Sequence, residues 1–361
     1  MSLTSSDAFL VKFSAIFGVI PYYNLQTHQL VNPKLFKLHC LLLACVSPIV
    51  SITSVYLRHC FNFNNTSRNF VILDVLYETV SVILFEVAVL SPSFWNTRHW
   101  QELFQLLQQL ETKHPSKRNV FTWLLLLFGT GYLVLLFAVE FQYNLNYRYK
   151  SYSFLASYFY VYVGFVQLVV ISNVSLWIRT RYRSVRTLLQ NVRYSDIAEV
   201  SGIIKECTIL YLKMDKIIDK VNRVFGWAML VILIQMGVLS LDTLTFYSLY
   251  TQRSSLTTEH IVIYGGFTLL TVIWPVILIL CCDAAVEESK KLLPVCYWLE
   301  QVLPRSSKEM EVLKSLENIV KSKPAKMTAA GFFDIDRSTL VSVFSATTMY
   351  YLVCIQFNKR D

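Results

Sequence analysis

Seven predominantly apolar stretches of about 20 residues recur along the chain, at 38–58, 70–90, 119–141, 153–177, 224–248, 260–282 and 338–357. A helix rising about 1.5 Å per residue crosses the roughly 30 Å hydrocarbon core of a bilayer in such a length. Inside that core each backbone N–H and C=O must be satisfied within the protein, which leaves helices or closed barrels, and continuous runs of this length select helices. The chain is therefore read as an all-α polytopic membrane protein with seven transmembrane helices. Composition agrees: 54% of residues are hydrophobic and only 16% charged, too apolar for a water-soluble domain of 361 residues.

Charge gives the orientation. Of the 33 Lys and Arg, 26 fall in the N-terminal arm and in segments 91–118, 178–223 and 283–337, against seven in the alternate segments. The positive-inside bias puts the richer set, and the N-terminus, in the cytoplasm. The net charge of +9 then implies no nucleic acid, because anionic lipid of the bilayer attracts the same residues. Overlapping glycosylation sequons at Asn64 and Asn65 fall in the first outside loop, in agreement. The early stretch Phe13–Tyr23 lacks a small-residue cleavage site and is expected to form a short membrane-touching or re-entrant helix. Segments 178–223 and 283–337 read as helices extended into the cytoplasm. An apolar stripe there, from Ile203 and Ile204 through Cys207, Tyr211 and Met214 to Val221, packs either within its own subunit or against neighbours.

In the last crossing, Ser338, Ser342, Ser345, Met349, Leu352 and Gln356 recur at steps of four and three, so they share one helical face. A line of hydroxyls ending in an amide, on an otherwise apolar helix, suits a helix with lipid or protein on one side and water on the other. It is read as a pore-lining helix, 338–357.

The same stretch resembles the C-terminal signature of insect gustatory receptors, a Thr-Tyr pair, five mostly apolar residues and Gln-Phe. Here it reads Met349, Tyr350, five residues, Gln356, Phe357. The run from Gly331 to Ser338 also resembles that family's approach to its seventh helix. Met349 departs from the family's Thr and removes a hydroxyl near the pore face, with Thr348 next to it. The resemblance implies a ligand-gated, non-selective cation channel with inverted topology, a homo- or hetero-tetramer with other gustatory receptors. In it, 283–337 is a cytoplasmic anchor segment, one 338–357 helix per subunit surrounds the path of the permeating cations, and Gln356 and Phe357 form an extracellular gate with Tyr350 behind the lining. Alternatively, Gln356 and Phe357 only anchor a helix end at the interface. The implied setting is taste detection at the plasma membrane of a sensory dendrite, of a bitter or aversive small-molecule tastant by default, with sugar detection open.

Residues 1–282 would then be the ligand-sensing part. Asp74, Tyr77, Glu78 and Ser81 share a face of the second crossing, where a buried carboxylate costs roughly 2.5–3.5 kcal/mol and so must face protein or water. Tyr132, Tyr158, Tyr162, Phe246, Tyr264 and Phe267 stand in the outer halves of other crossings. Together they are the candidate lining of one outward-opening pocket for a small amphipathic ligand. The alternatives are hydrogen bonds between helices for the carboxylates and an interfacial aromatic belt for the tyrosines. Trp274-Pro275 is expected to kink the sixth crossing.

The six His show no metal-ligand spacing, and no phosphate-binding loop, dinucleotide fingerprint or nucleophile elbow is present, so no enzyme, metal or cofactor is expected. The eight Cys suggest no disulfide framework, and Cys281-Cys282 is a candidate for palmitoylation. A G-protein-coupled receptor is disfavoured by the inward N-terminus and by the missing Asp/Glu-Arg-Tyr and Asn-Pro-x-x-Tyr patterns. A transporter is disfavoured by the absence of an internal repeat.

Overall fold

The computed structural model describes residues 5–24, 29–30, 33–61, 68–113, 120–147, 155–192, 197–252, 258–304 and 308–358. Among them are eleven α-helices: α1 (Ser5–Ile16), α2 (Pro33–Phe61), α3 (Arg68–Leu90), α4 (Thr97–Lys113), α5 (Val120–Tyr147), α6 (Leu155–Asn191), α7 (Ile197–Gln252), α8 (Thr258–Lys290), α9 (Leu292–Val302), α10 (Lys308–Ser322) and α11 (Arg337–Asn358). Two short antiparallel hairpins join them: β1 (Tyr23–Asn24) with β2 (Gln29–Leu30), and β3 (Thr328–Ala329) with β4 (Phe333–Asp334). A π-helical turn, Ser91–Trp95, joins α3 to α4.

The described residues of each of the seven apolar stretches lie in a helix: α2, α3, α5, α6, α7, α8 and α11. Four described helices are long and apolar enough to cross a membrane by length and composition alone, in α2, α5, α6 and α7. The span of α3 carries Asp74, Glu78 and Glu86, and some side chains of α8 and α11 lie outside the described residues. Burial sorts the four. About 72% of the apolar span of α6 and 67% of that of α7 are buried, against 22% for α2 and 28% for α5. Thus α6 and α7 form the axis of the bundle, and α2 and α5 are its outer staves.

The outer helices are inverted relative to those of a water-soluble protein. On α2, Leu35, Leu38, Leu42, Ile49 and Ile52 are exposed while Ser47, Ser51, Ser54 and Arg58 are buried. On α5, Leu127, Phe128, Val134 and Leu135 are likewise exposed. Apolar side chains outside and polar ones inside are stable only in hydrocarbon. Pro48 within α2 leaves the Ala44 carbonyl without its helical donor, and the Ser47 hydroxyl lies 3.3 Å from that carbonyl.

At 37 and 56 residues, α6 and α7 are about 55 and 84 Å long, well beyond a bilayer core. The excess packs with α4, α9 and α10 in a second bundle beyond the apolar spans. The stripe on α7 is buried there within its own chain: Ile204, Cys207, Tyr211, Met214, Ile217 and Val221 are each at most 1% exposed. The reading in which this stripe meets neighbouring subunits is corrected, because α4, α6 and α10 already cover it. Burial pushes the thiols of Cys207 and Cys296 up to about 12, so they act as small apolar side chains. Cys281 and Cys282 are also buried, which removes them as palmitoylation candidates.

One further expectation changes. The Phe13–Tyr23 stretch is not a helix of its own: α1 ends at Ile16, the chain turns at Gly18 with φ +75°, and Val19 and Ile20 enter the core. In α8, Pro275 is accommodated inside one continuous helix, and Trp274 packs on Phe165 with ring centroids 3.9 Å apart.

Candidate functional site

The entry to α11 is built around two residues of α7. The Asn222 side chain accepts from the Thr328 backbone N–H at 3.0 Å and donates to the Lys326 carbonyl at 2.8 Å, so one amide holds both sides of the strand β3 approach. One turn on, Gly226 lets the hairpin lie directly on the helix. A Cβ there would stand 2.9 Å from the Ala330 backbone nitrogen. The hairpin turns through Ala330 (φ 52°) and Gly331 (φ 80°) and is closed by Ile335 N–H donating to the Met327 carbonyl at 2.7 Å. The run from Gly331 to Ser338 is therefore a hairpin turn and a helix cap, where the sequence suggested only an amphipathic approach.

Asp336 caps α11. Its carboxylate accepts from the Ser338 hydroxyl at 2.6 Å and from the Thr339 N–H at 3.2 Å, while the Asp336 N–H donates back to the Thr339 hydroxyl at 3.3 Å. This reciprocal arrangement satisfies two donors that a helix start leaves free. The Ser338 hydroxyl, with the Thr339 N–H, holds the Asp336 carboxyl below the usual carboxylate range. Arg337 reaches Asp283 on α8 at 2.8 Å, tying the first turn of α11 to the inner end of that helix.

One face of α11 packs on α7 and α8 through the buried Thr339 and Thr347. At about 100° per residue, the face of Ser338, Ser342, Ser345, Met349, Leu352 and Gln356 lies opposite. All six are exposed, Met349 by 67% and Leu352 by 54%. The periodic face thus points away from its own subunit. Tyr350 is 60% exposed in the single chain. The Phe357 side chain lies outside the described residues.

The ligand-binding candidates divide into two groups on different sides of α6. In the first, Arg58 of α2 is 1% exposed and pairs with Asp74 at 3.2 Å and Glu78 at 3.1 Å of α3. It also donates to Ser157 of α6 at 2.8 Å, and Ser157 donates to Glu78 at 2.6 Å. Ser51 reaches the other Glu78 oxygen at 3.2 Å, and Ser47 donates to Glu86. Tyr77 is buried on the same face, and Gln235 of α7 donates to Ser81 at 2.9 Å. Asp242 of α7 is buried within electrostatic reach of Asp74 and Arg58. This polar seam is a closed joint between helices.

The second group faces α5, α8 and the turn after α1. Tyr158 meets Phe137 edge-on at 5.6 Å, Tyr162 meets Phe17 at 5.4 Å, and the Tyr132 hydroxyl donates to the Gly266 carbonyl at 3.2 Å. Phe246, Tyr264 and Phe267 lie on α7 and α8, with side chains outside the described residues, and Asn64 and Asn65 lie outside them altogether. The sequence reading missed Arg58 as an internal partner and counted it with the loop charges. Its signal was present: Ser47, Ser51, Ser54 and Arg58 recur at steps of four, three and four, the same period as the face of α11.

A helical bundle inverted for lipid, with long helical extensions beyond the apolar spans and a polar-faced last helix, defines a polytopic membrane protein. A family model described as 7tm chemosensory receptor matches residues 8–360, and the chain belongs to that family. It is a membrane protein of a receptor family, not an enzyme. The fold is shared with the insect olfactory receptor OR5 of Machilis hrabei, at TM-score 0.71 and 12% identity over 98% of each chain. The structure of that receptor in complex with eugenol gives a TM-score of 0.67 and 12% identity over 97% of each chain. No curated protein sequence matches.

Proposed function

We propose that this receptor is a ligand-gated, non-selective cation channel for taste detection, assembled as a homo- or hetero-tetramer with its N-terminus in the cytoplasm. The observation that carries this reading is α11: a capped, clamped helix whose face of hydroxyls and a terminal amide points away from its own subunit. Four such faces around an axis would make a wet path for Na⁺ and K⁺, lined by hydroxyls without a dedicated ion cage. Residues Ser338, Ser342, Ser345, Met349 and Leu352 would line it, with Gln356 and Phe357 at the outer gate. Residues 1–282 would sense ligand, 283–337 would anchor the subunits, and the protein would act in the plasma membrane of sensory dendrites.

The Tyr158 and Tyr162 group is the better candidate for contact with ligand, because Asp74 and Glu78 are already engaged by Arg58. A bitter or aversive compound is the default tastant, on the aromatic character of that group. A second reading, detection of volatile aromatic compounds, is favoured by the eugenol complex of the Machilis hrabei receptor. Whole-cell currents from cells expressing the chain, tested with bitter compounds, sugars and volatile phenols, separate the readings by ligand. Evoked cation current that Gln356→Ala alters is the expected result. Protein at the surface, with and without co-expressed relatives, that gives no current to any compound would overturn the channel assignment.

A further inference from the structure

Just below the π-turn, α4 and α7 enclose a crevice of about 300 Å³, lined by Glu102 and Gln105 of α4 and by Lys216, Asp219, Lys220 and Arg223 of α7. We propose that this crevice binds the phosphorylated headgroup of an anionic lipid from the cytoplasmic leaflet.

Its depth is set by its roof. Asn96, at the end of the π-turn, donates to the Arg223 carbonyl at 3.2 Å, and Ser91 lies 3.5 Å from the Val224 carbonyl. The turn therefore docks on α7 where the apolar crossing begins. Exposed tryptophans mark both connected elements at this level: Trp95, 66% exposed in the turn, and Trp227, 56% exposed one turn beyond Arg223 with its ring against Phe332. Exposed Trp at the end of a crossing marks the headgroup layer. The crevice opens directly beneath that layer, on the side that the charge bias assigns to the cytoplasm.

Its charge suits phosphate. Lys220 pairs with Glu102, which also accepts from Arg98 at 3.0 Å, so the carboxylate of the inner wall is already matched. Lys216 and Arg223 form no ion pair among the described residues, and both are exposed. They lie seven residues apart on one face, about 10 Å along the axis, a distance that phosphates across a six-membered ring can bridge. Asp219 at the rim is the one opposing charge left, and it disfavours a weakly charged headgroup relative to a polyphosphorylated one. Basic residues just inside the membrane draw such lipids from the leaflet.

The test uses the full-length receptor in nanodiscs of phosphatidylcholine, alone or with phosphatidylinositol bisphosphate, and native mass spectrometry of the lipid retained on extraction. The wild type should retain the bisphosphate lipid selectively. The K216Q/R223Q variant should lower that retention about tenfold or more, and K216R/R223K should keep it. A diazirine-bearing bisphosphate lipid should label peptides of α4 or α7, which gives a readout on the wild type if the double variant does not fold. Retention no greater than that of phosphatidylcholine would overturn the proposal, as would full retention by K216Q/R223Q or labelling confined to other helices. Soluble inositol trisphosphate binding as tightly as the lipid would assign the crevice to a free phosphate ligand and overturn the lipid assignment. None of these readouts depends on channel activity.

Discussion

Among the described residues, Arg58 is the only cation in a buried seam that holds Asp74 and Glu78, so its removal strands two carboxylates inside the bundle. Breaking one partner of a buried pair costs about 3–5 kcal/mol. Arg58→Met is therefore expected to lower the melting temperature of the purified receptor in detergent sharply and to reduce surface expression. Adding Glu78→Gln should restore part of the loss; a double variant no better than the single one would show that the seam is not electrostatic. Gly226 offers a second comparison. Gly226→Ala places a methyl against the backbone of the α11 entry hairpin, whereas Gly202→Ala on the same helix meets nothing within 4 Å. The first should destabilise; the second should be neutral or stabilising by up to about 1 kcal/mol, measured by the same thermal assay.

Helix α11 stands on its cap. Replacing Asp336 by Ala is expected to cost about 1 kcal/mol, and Asn should lose less because it can still accept from the N–H of Thr339. The Asp336 carboxyl is held below its ordinary range in the folded protein. Its contribution is therefore present above the unfolded carboxylate range and is lost as pH falls through the lower folded value. Melting of wild type and Asp336→Asn across acidic pH should show the wild type losing its advantage only at the acid end. A scan of single cysteines tests the two faces: Ser345→Cys and Met349→Cys should react with a water-soluble thiol reagent and change current, and Thr347→Cys, buried on α7, should not.

Most of the helix inventory was legible in sequence, because length and hydropathy answer to a single solvent boundary. The face of α11 was legible because its period is unbroken over five steps. The hairpin before it was not: its signal is one φ-positive glycine and an asparagine more than a hundred residues away on α7, and that asparagine looks like any polar residue at the end of a crossing. The ligand set was only half legible. Period placed Asp74, Tyr77 and Glu78 on one face, but period within α3 carries no information about a guanidinium arriving from α2.

The proposed tetramer would cover the outward face of α11. On α11, Val341, Met349, Tyr350 and Leu352 are all more than half exposed, along with a line of hydroxyls that lipid disfavours. Chemical cross-linking of the receptor in membranes is expected to give a ladder that ends at four copies. Termination at two copies, or no ladder in cells that support evoked current, would remove the tetramer.

One helix runs through all of these parts. Residues 197–223 of α7 lie in the bundle beyond the apolar spans and 224–252 rise beside α3, α6 and α8, two nearly equal lengths of about 40 Å that meet where Asn222 and Gly226 hold the hairpin. Such a rod is a balanced lever with its fulcrum at the base of α11. A tilt of about one degree displaces either end by roughly 0.7 Å, in opposite directions, and leaves the pivot where it was. Under the proposed function, motion beside the sensing helices would become counter-motion in the cytoplasm, while the base of α11 stays in register.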